Sequence, residues 1–357
     1  MINGFLKKEL HTLMWQRPQF AQIELTKNCN QSCSFCYRAC ESNKKYKDRD
    51  YKEWIKIIDI LEQNGVSKIH FTGGEVLLFK DFEKILKHCK KKNLQIHINT
   101  NGTINVSKYI NLVDEIVFSI HGFEQVHNNI VKNNNSFKNI LNNIEIIKNN
   151  SNVSVCINMV LVKENFDDMV NIYEYFNNII SNFKFSPTIA VKANDGNDAG
   201  DSYIQINKEN MKKYINMLDL IDKNKLVLKH GLHAIYKYTD DSNSYPIKLP
   251  VCAAGKDKII IKYNGDVFPC NFFVSDEYYC GNIFESDFIA IWKEGKGFNK
   301  FRKIILDEKI PYKCKKCKNN ICYSGCRVWT KSYINNKEEI ENERDIRCEF
   351  TNAFIGD

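Results

Sequence analysis

The stretch AQIELTKNCNQSCSFCY, Ala21 to Tyr37, joins a short β-rich run directly to three cysteines, Cys29, Cys33 and Cys36, at spacings of four and three. A closed zinc site takes four thiolate or imidazole ligands, whereas a metal group that does chemistry keeps one position open. Three thiolates on a loop after a strand can hold a cubane iron-sulfur cluster by three of its irons and leave the fourth iron for another ligand. Cys40, four residues further on, could instead supply a fourth ligand and close a zinc knuckle, although neither spacing is usual for a zinc finger.

Outward from that stretch, residues 20 to about 190 alternate short β-rich runs with longer amphipathic ones. The expected strands are AQIEL, KIHFTG, LQIHINT, EIVFSIH, VSVCINMVL and FKFSPTIAV. Between them, YKEWIKIIDILEQNG shows apolar residues at helical spacing and ends on Gly, and SFKNILNNIEIIKNN starts on a Ser cap. Six such units read as a parallel α/β sheet with right-handed crossovers. About 170 residues do not hold the eight units of a full barrel, so a partial (β/α)6 TIM-like barrel is expected. Residues 192–205 read as a polar, Gly-containing loop, followed by the helix NKENMKKYINMLDLIDK. Beyond about residue 245 short strands and an Asn264–Gly265 turn predict a small cysteine-rich α+β domain held by metal. The expected organisation is a lead-in over 1–19, the barrel over 20–225, a bridging region over 226–249 and the small domain over 250–357.

The 357 residues suffice for a large core, and 43% of them are apolar. No apolar run reaches about twenty residues and MINGFLKKEL is broken by charge at once, so a cytoplasmic protein without a membrane span is expected. Twelve of the 14 cysteines fall in two regions, which in a reducing compartment points to metal or redox chemistry rather than disulfides. Cys89 and Cys156 stand alone in apolar surroundings and read as small buried hydrophobes. The net charge of +8 is spread over short Lys-rich segments, not gathered in a block, and no nucleic-acid partner is expected.

The Cx3Cx2C stretch, with Phe35 before its third cysteine and a strand before its first, resembles the radical S-adenosylmethionine (radical SAM) enzymes. The resemblance implies that Cys29, Cys33 and Cys36 hold a 4Fe-4S cluster whose open iron chelates the methionine part of S-adenosylmethionine. Reduction would then release a 5'-deoxyadenosyl radical that abstracts a hydrogen from substrate. Other positions agree: Gly73, Gly74 and Glu75 in FTGGEV resemble the family's GGE motif at the methionine ammonium, where glycines permit close approach and an anion matches the charge. Asn101 in NTNG resembles another family element, and Ser119 in FSIHG holds the place of a ribose-contacting hydroxyl. Asn158 on the fifth strand is a candidate for the nucleotide or an amide of the barrel interior. Two departures stand out: His121 where many relatives have Asp, and His127-Asn128-Asn129-Ile130-Val131 where they carry an Arg for the methionine carboxylate. Lys132 could replace that Arg but lacks its planar fork.

The C-terminal cysteines resemble the SPASM extension of these enzymes. Cys252 is followed after twelve residues by Gly265 and after four more by Cys270; Cys314, Cys317, Cys322, Cys326 and Cys348 complete the set. The single departure is four residues between Cys317 and Cys322 where five are usual. The resemblance implies two further 4Fe-4S clusters, an inner one on Cys252, Cys270 and Cys326 and an outer one on Cys314, Cys317, Cys322 and Cys348. The inner cluster then lacks a fourth ligand, which is either an open site or Cys280. A zinc ribbon is the alternative, but seven cysteines exceed what one zinc needs.

The expected function is a radical enzyme that modifies a peptide or protein substrate by cross-link, thioether, epimerisation or oxidation. A small-molecule substrate, such as a sugar or cofactor precursor, is the alternative, and a non-catalytic iron-sulfur electron carrier the third reading. Asn271, directly after Cys270, replaces an Asp typical of sulfatase maturases and cannot take a proton. About twenty residues before the first strand leave no room for a winged-helix recognition domain, so a peptide would dock on the barrel or come with a separate recognition protein. An electron donor such as flavodoxin or ferredoxin is implied.

Overall fold

The computed structural model describes residues 17–40, 42–150, 153–191, 200–228, 252–305, 314, 325–333 and 345–349. Six strands, β1 (Phe20–Glu24), β2 (Lys68–Thr72), β3 (Gln95–Thr100), β4 (Glu115–Ser119), β5 (Ser154–Leu161) and β6 (Phe183–Ile189), follow one another in parallel register, as expected. The helices between them are α1 (Tyr51–Gln63), α2 (Phe82–Lys91), α3 (Glu124–Val131), α4 (Ser136–Asn150) and α5 (Met169–Ile179), with α6 (Lys208–Asp219) after β6.

Local chemistry accounts for these elements. The side chain of Asp50 accepts the Lys52 N–H at 2.8 Å while Glu53 accepts the Asp50 N–H at 3.1 Å, a reciprocal cap that starts α1. Its buried stripe, Trp54, Ile57, Ile58 and Leu61, repeats at the helical period and packs on the sheet. Fully burying such side chains contributes about 1.5–3 kcal/mol each. In β1, Ala21 and Ile23 face the helices at 0% exposure while Gln22 and Glu24 take the opposite face. The same alternation places His70 and Thr72 of β2, and His97 and Asn99 of β3, on the polar side. At the lower rim, His97 and Lys184 each meet Glu115 at 2.8 Å; burial would raise that carboxyl, but these two partners hold it down to about 2.

The sheet does not stop at six strands. β7 (Lys258–Ile261) pairs in parallel with the open edge of β1, Phe20 opposite Lys258 and Ile23 opposite Ile261, and β8 (Val267–Phe268) returns antiparallel. The order is β6-β5-β4-β3-β2-β1-β7-β8. A sheet edge left unpaired exposes a row of backbone donors and acceptors, and here the C-terminal region supplies the pairing. The expected Asn264–Gly265 turn joins the two strands, with Gly265 at φ +95°, a conformation that favours glycine. At the other edge, Phe185 of β6 exchanges hydrogen bonds with Lys225 and Val227 at 2.7 and 2.8 Å. Beyond β8 come α7 (Phe288–Glu294), α8 (Lys296–Ile305) and α9 (Arg327–Tyr333). The expected boundary at residue 250 and most of the expected bridging region and loop 192–205 lie outside the described residues. Cys89 and Cys156 are buried in the core, as read from the sequence. Among the described residues no helix is long and apolar enough to cross a membrane.

Candidate active site

The loop after β1 is knitted to the end of β2. The Gly74 N–H donates to the Thr26 carbonyl and the Glu75 N–H to the Asn28 carbonyl, both at 2.7 Å. A Cβ on Gly73 would lie 2.7 Å from the Thr26 oxygen, and one on Gly74 would sit closer still to the Asn28 carbonyl, so both positions need glycine for backbone approach. Further along, the Ser32 N–H reaches the Val131 carbonyl at the end of α3, and the Cys36 N–H the Cys33 carbonyl.

This folding turns Cys29, Cys33 and Cys36 onto the wall of a cavity of about 500 Å³. The wall also includes Phe35, Gly73, Gly74, Asn101, Ser119 and Asn158, so the structure gathers nine of the ten positions expected at the first cluster and its ligand. Glu75 is the exception. Its carboxylate is 0% exposed and accepts from Thr100 Oγ1 at 2.8 Å, from the Leu77 N–H at 3.0 Å and from the Asn101 N–H at 2.6 Å; burial raises its pKa to about 7. What FTGGEV offers the cavity is thus the backbone of its glycines, with Glu75 fixing the end of β3 behind them. Asn101 donates to Asn30 Oδ1 at 2.8 Å and to Cys29 Sγ at 3.9 Å. Ser119 and Asn158 stand opposite one another in the β4–β5 register, an adjacent hydroxyl and amide.

His121, the position of departure, also lines the cavity. Its Nδ1 accepts the Val160 N–H at 3.1 Å, and Nδ1 of His127 accepts the His121 N–H at 3.1 Å. Backbone N–H groups only donate, so both neutral rings carry their proton on Nε2. Burial depresses both pKa values, His127 to about 4. Phe35 packs edge-on against His121 at 4.9 Å. Lys132 caps α3 in the left-handed region, and its charge acts on Cys33, but it does not line the cavity.

Burial pushes the Cys29 thiol up to about 12 and Cys33 well above its usual value, while a hydrogen bond from Cys40 lowers Cys36 to about 6. Among the described residues no three His, Cys, Asp or Glu side chains converge closely enough for a single metal ion. Three thiols spread over a cavity wall fit a polynuclear group, which would also supply the charge that ionises them. The zinc knuckle through Cys40 does not fit this geometry.

In the C-terminal region the Cys252, Cys270 and Cys326 thiols act electrostatically on one another in all three pairings. Burial pushes Cys252 and Cys270 up to about 11 and Cys326 to about 12. Lys258, Lys331, Arg327 and Arg347 surround them with positive charge. Cys314 is half-buried and Cys348 buried; Cys317 and Cys322 lie outside the described residues. Cys280 is elsewhere: its thiol donates to the Tyr278 carbonyl at 3.4 Å, rests against Gly295 and Gly297, and is raised to about 12 by burial. Cys280→Ser is therefore expected to leave iron content and auxiliary-cluster spectra unchanged; loss or conversion of one cluster would make Cys280 a ligand.

Sequence reading passed over Gln22, Arg38, His70 and Lys258, all on the cavity wall. For Gln22 and His70 the signal was present as polar residues at alternate positions of otherwise apolar strands, whereas Arg38 stands on the loop after Cys36 and Lys258 opens β7.

A partial parallel barrel that presents three thiols in a strand-end cavity, with a second thiol group beside it, defines an iron-sulfur enzyme. A family model described as the radical SAM superfamily matches residues 23–176, and one for SPASM, an iron-sulfur cluster-binding domain, matches 252–318. The chain belongs to the radical SAM superfamily, with a C-terminal SPASM domain, and its cofactors are S-adenosylmethionine and 4Fe-4S clusters. It is 26% identical to the sporulation killing factor maturation protein SkfB of Bacillus subtilis over 81% of this chain and 69% of that one. It is 25% identical to a cysteine-type anaerobic sulfatase-maturating enzyme of Clostridium perfringens over 92% of each. The fold matches that of Streptococcus suis SuiB bound to S-adenosylmethionine with a TM-score of 0.73 at 19% identity, covering 97% of this chain and 80% of that one.

Proposed function

We propose that the protein is a radical SAM enzyme that takes a hydrogen from a peptide or protein substrate, and that Cys29, Cys33 and Cys36 hold the cluster that drives this step. Bound there, the cluster and S-adenosylmethionine supply a 5'-deoxyadenosyl radical. The protein's own residues orient and enclose. The backbone of Gly73 and Gly74 lets the ligand approach closely, Ser119 and Asn158 offer a hydroxyl and an amide to a diol, and Phe35 with His121 walls off one side.

The observation that carries the peptide reading is a second part of the lining of the same cavity. It is built by Lys258, Asn271 and Phe272 of the SPASM region, so substrate is enclosed between the barrel and the auxiliary domain. Asn271 donates to Gln22 Oε1 at 3.1 Å, and its Oδ1 is buried with no hydrogen-bond partner. An unsatisfied buried acceptor costs about 1–3 kcal/mol, which a substrate N–H or O–H would offset. Among the described residues no carboxylate lines the cavity. Because Asn271 cannot accept a proton, it positions substrate and does not act as the base an Asp would provide there, which disfavours oxidation to an aldehyde. SkfB, named for the maturation of a killing factor, supports a peptide substrate. A flavodoxin or ferredoxin would deliver the electron, and a separate recognition protein could present the peptide.

The test is anaerobic reconstitution followed by dithionite and S-adenosylmethionine, with a peptide encoded beside the gene. Formation of 5'-deoxyadenosine together with a mass change in the peptide supports the reading. Robust 5'-deoxyadenosine formation with every such peptide unchanged turns it toward a small molecule.

A further inference from the structure

Glu24, the last residue of β1, is 2% exposed and does not line the cavity. Two cations converge on it. Arg38 Nε meets Glu24 Oε1 at 2.9 Å, and Lys262 Nζ lies 3.1 Å from Oε2 and 3.3 Å from Oε1. Both cations are themselves about nine-tenths buried. Burial would raise the Glu24 pKa, but Arg38 and Lys262 hold it below the usual carboxylate range.

The three residues come from three segments. Arg38 lies two positions after Cys36, and its guanidinium also donates to Thr72 Oγ1 at 3.2 Å and stacks over the Tyr37 ring at 4.2 Å. Thr72 stands opposite Glu24 in the β1–β2 register. Lys262 is the residue after β7, and since Ile23 pairs with Ile261, Glu24 and Lys262 are the next positions along their two strands. A second contact runs parallel to this one: Tyr37 packs on Phe272 of the SPASM region at 5.2 Å.

We propose that Glu24 is a positioning residue through which the SPASM region holds the radical-generating loop: Lys262 orders the Glu24 carboxylate, and the carboxylate anchors Arg38 and with it the segment that follows Cys36. The physical ground is that both cations meet the same carboxylate, so the contact that fixes the rotation of that carboxylate also fixes the partner of the other cation. Lys262 reaches both carboxylate oxygens and Arg38 one of them, so the two cations share one group and the triad acts as a unit and not as two independent pairs. The triad also leaves one net positive charge beside Cys36, which favours the reduced form of a cluster held there. The inference rests on the assignment of the first cluster to Cys29, Cys33 and Cys36, but not on the identity of the substrate.

The experiment uses reconstituted full-length protein carrying Lys262→Gln or Lys262→Arg, changes that lie more than two hundred residues from the first cluster in sequence. Amide hydrogen exchange is followed over 36–40, and the first cluster is titrated by electron paramagnetic resonance. Lys262→Gln is expected to speed exchange of the 36–40 amides about tenfold, the loss of one charge-assisted bond, and to lower the midpoint potential of the first cluster. Lys262→Arg, which keeps the charge, is expected to restore both. Unchanged exchange and potential in Lys262→Gln overturn the proposal, as does a Lys262→Arg protein that behaves like the Gln variant. Failure of the cluster assignment would show separately, as a first-cluster signal that survives loss of Cys29, Cys33 and Cys36.

Discussion

Replacing Cys29, Cys33 and Cys36 together by Ala is expected to abolish 5'-deoxyadenosine formation while removing only about four of about twelve irons per chain, the content of one 4Fe-4S cluster among three. The thiols of the two regions belong to different walls of the protein: the first three follow β1 and face the cavity beside Gly73 and Gly74, whereas Cys252, Cys270 and Cys326 cluster under Lys258, Lys331 and Arg347. Iron analysis with Mössbauer or paramagnetic resonance spectra of the triple variant checks this. Complete loss of iron would mean that the clusters are not independent, and stoichiometric zinc with about four irons in the unaltered protein would sink the three-cluster assignment.

The second large effect is expected from a single methyl group. Gly74→Ala places a Cβ against the Asn28 carbonyl, and nothing there can yield cheaply, because the obstacle is backbone held by the Glu75 N–H at 2.7 Å. The loop must move away from β2, breaking that bond and the one from Gly74 to Thr26, and Cys29 moves with it. Overpacking of this kind costs about 1–3 kcal/mol, and each lost backbone bond adds about 1 kcal/mol. Displacing a ligand-positioning loop by about 1 Å costs about 100-fold in rate on its own. The variant is therefore expected to lose at least that much S-adenosylmethionine cleavage while keeping its C-terminal iron. Cleavage within threefold of the unaltered protein would show that the loop and the glycine pair are not in contact.

Much of this organisation was legible in the chain. The six β/α units were visible because each strand and helix repeats its apolar residues at its own period, and local periodicity needs no knowledge of the partner element. The cysteine groups were visible for the same reason: ligand spacing on one loop is a local property, as for Cys29, Cys33 and Cys36. Glycines that permit close approach also announce themselves, and Gly73 and Gly74 were in place before the neighbour they approach was known.

What sequence could not decide is what meets across long separations. In sequence β7, KIII, reads only as a short strand before the Asn264–Gly265 turn, and only the tertiary structure shows it closing the edge of β1 in parallel register. That pairing carries Lys262 to Glu24, and the chain that follows brings Asn271 to Gln22, contacts more than two hundred residues apart that no periodicity encodes. Glu75 makes the same point within the motif. Its residue type predicted a carboxylate for the ligand, but its side-chain direction, set by three donors from Thr100, Asn101 and Leu77, turns it into the wall. Sequence determined which residues could do the chemistry and on which elements they stand. The register of β1 with β7, and the burial that comes with it, decided which of them face one another.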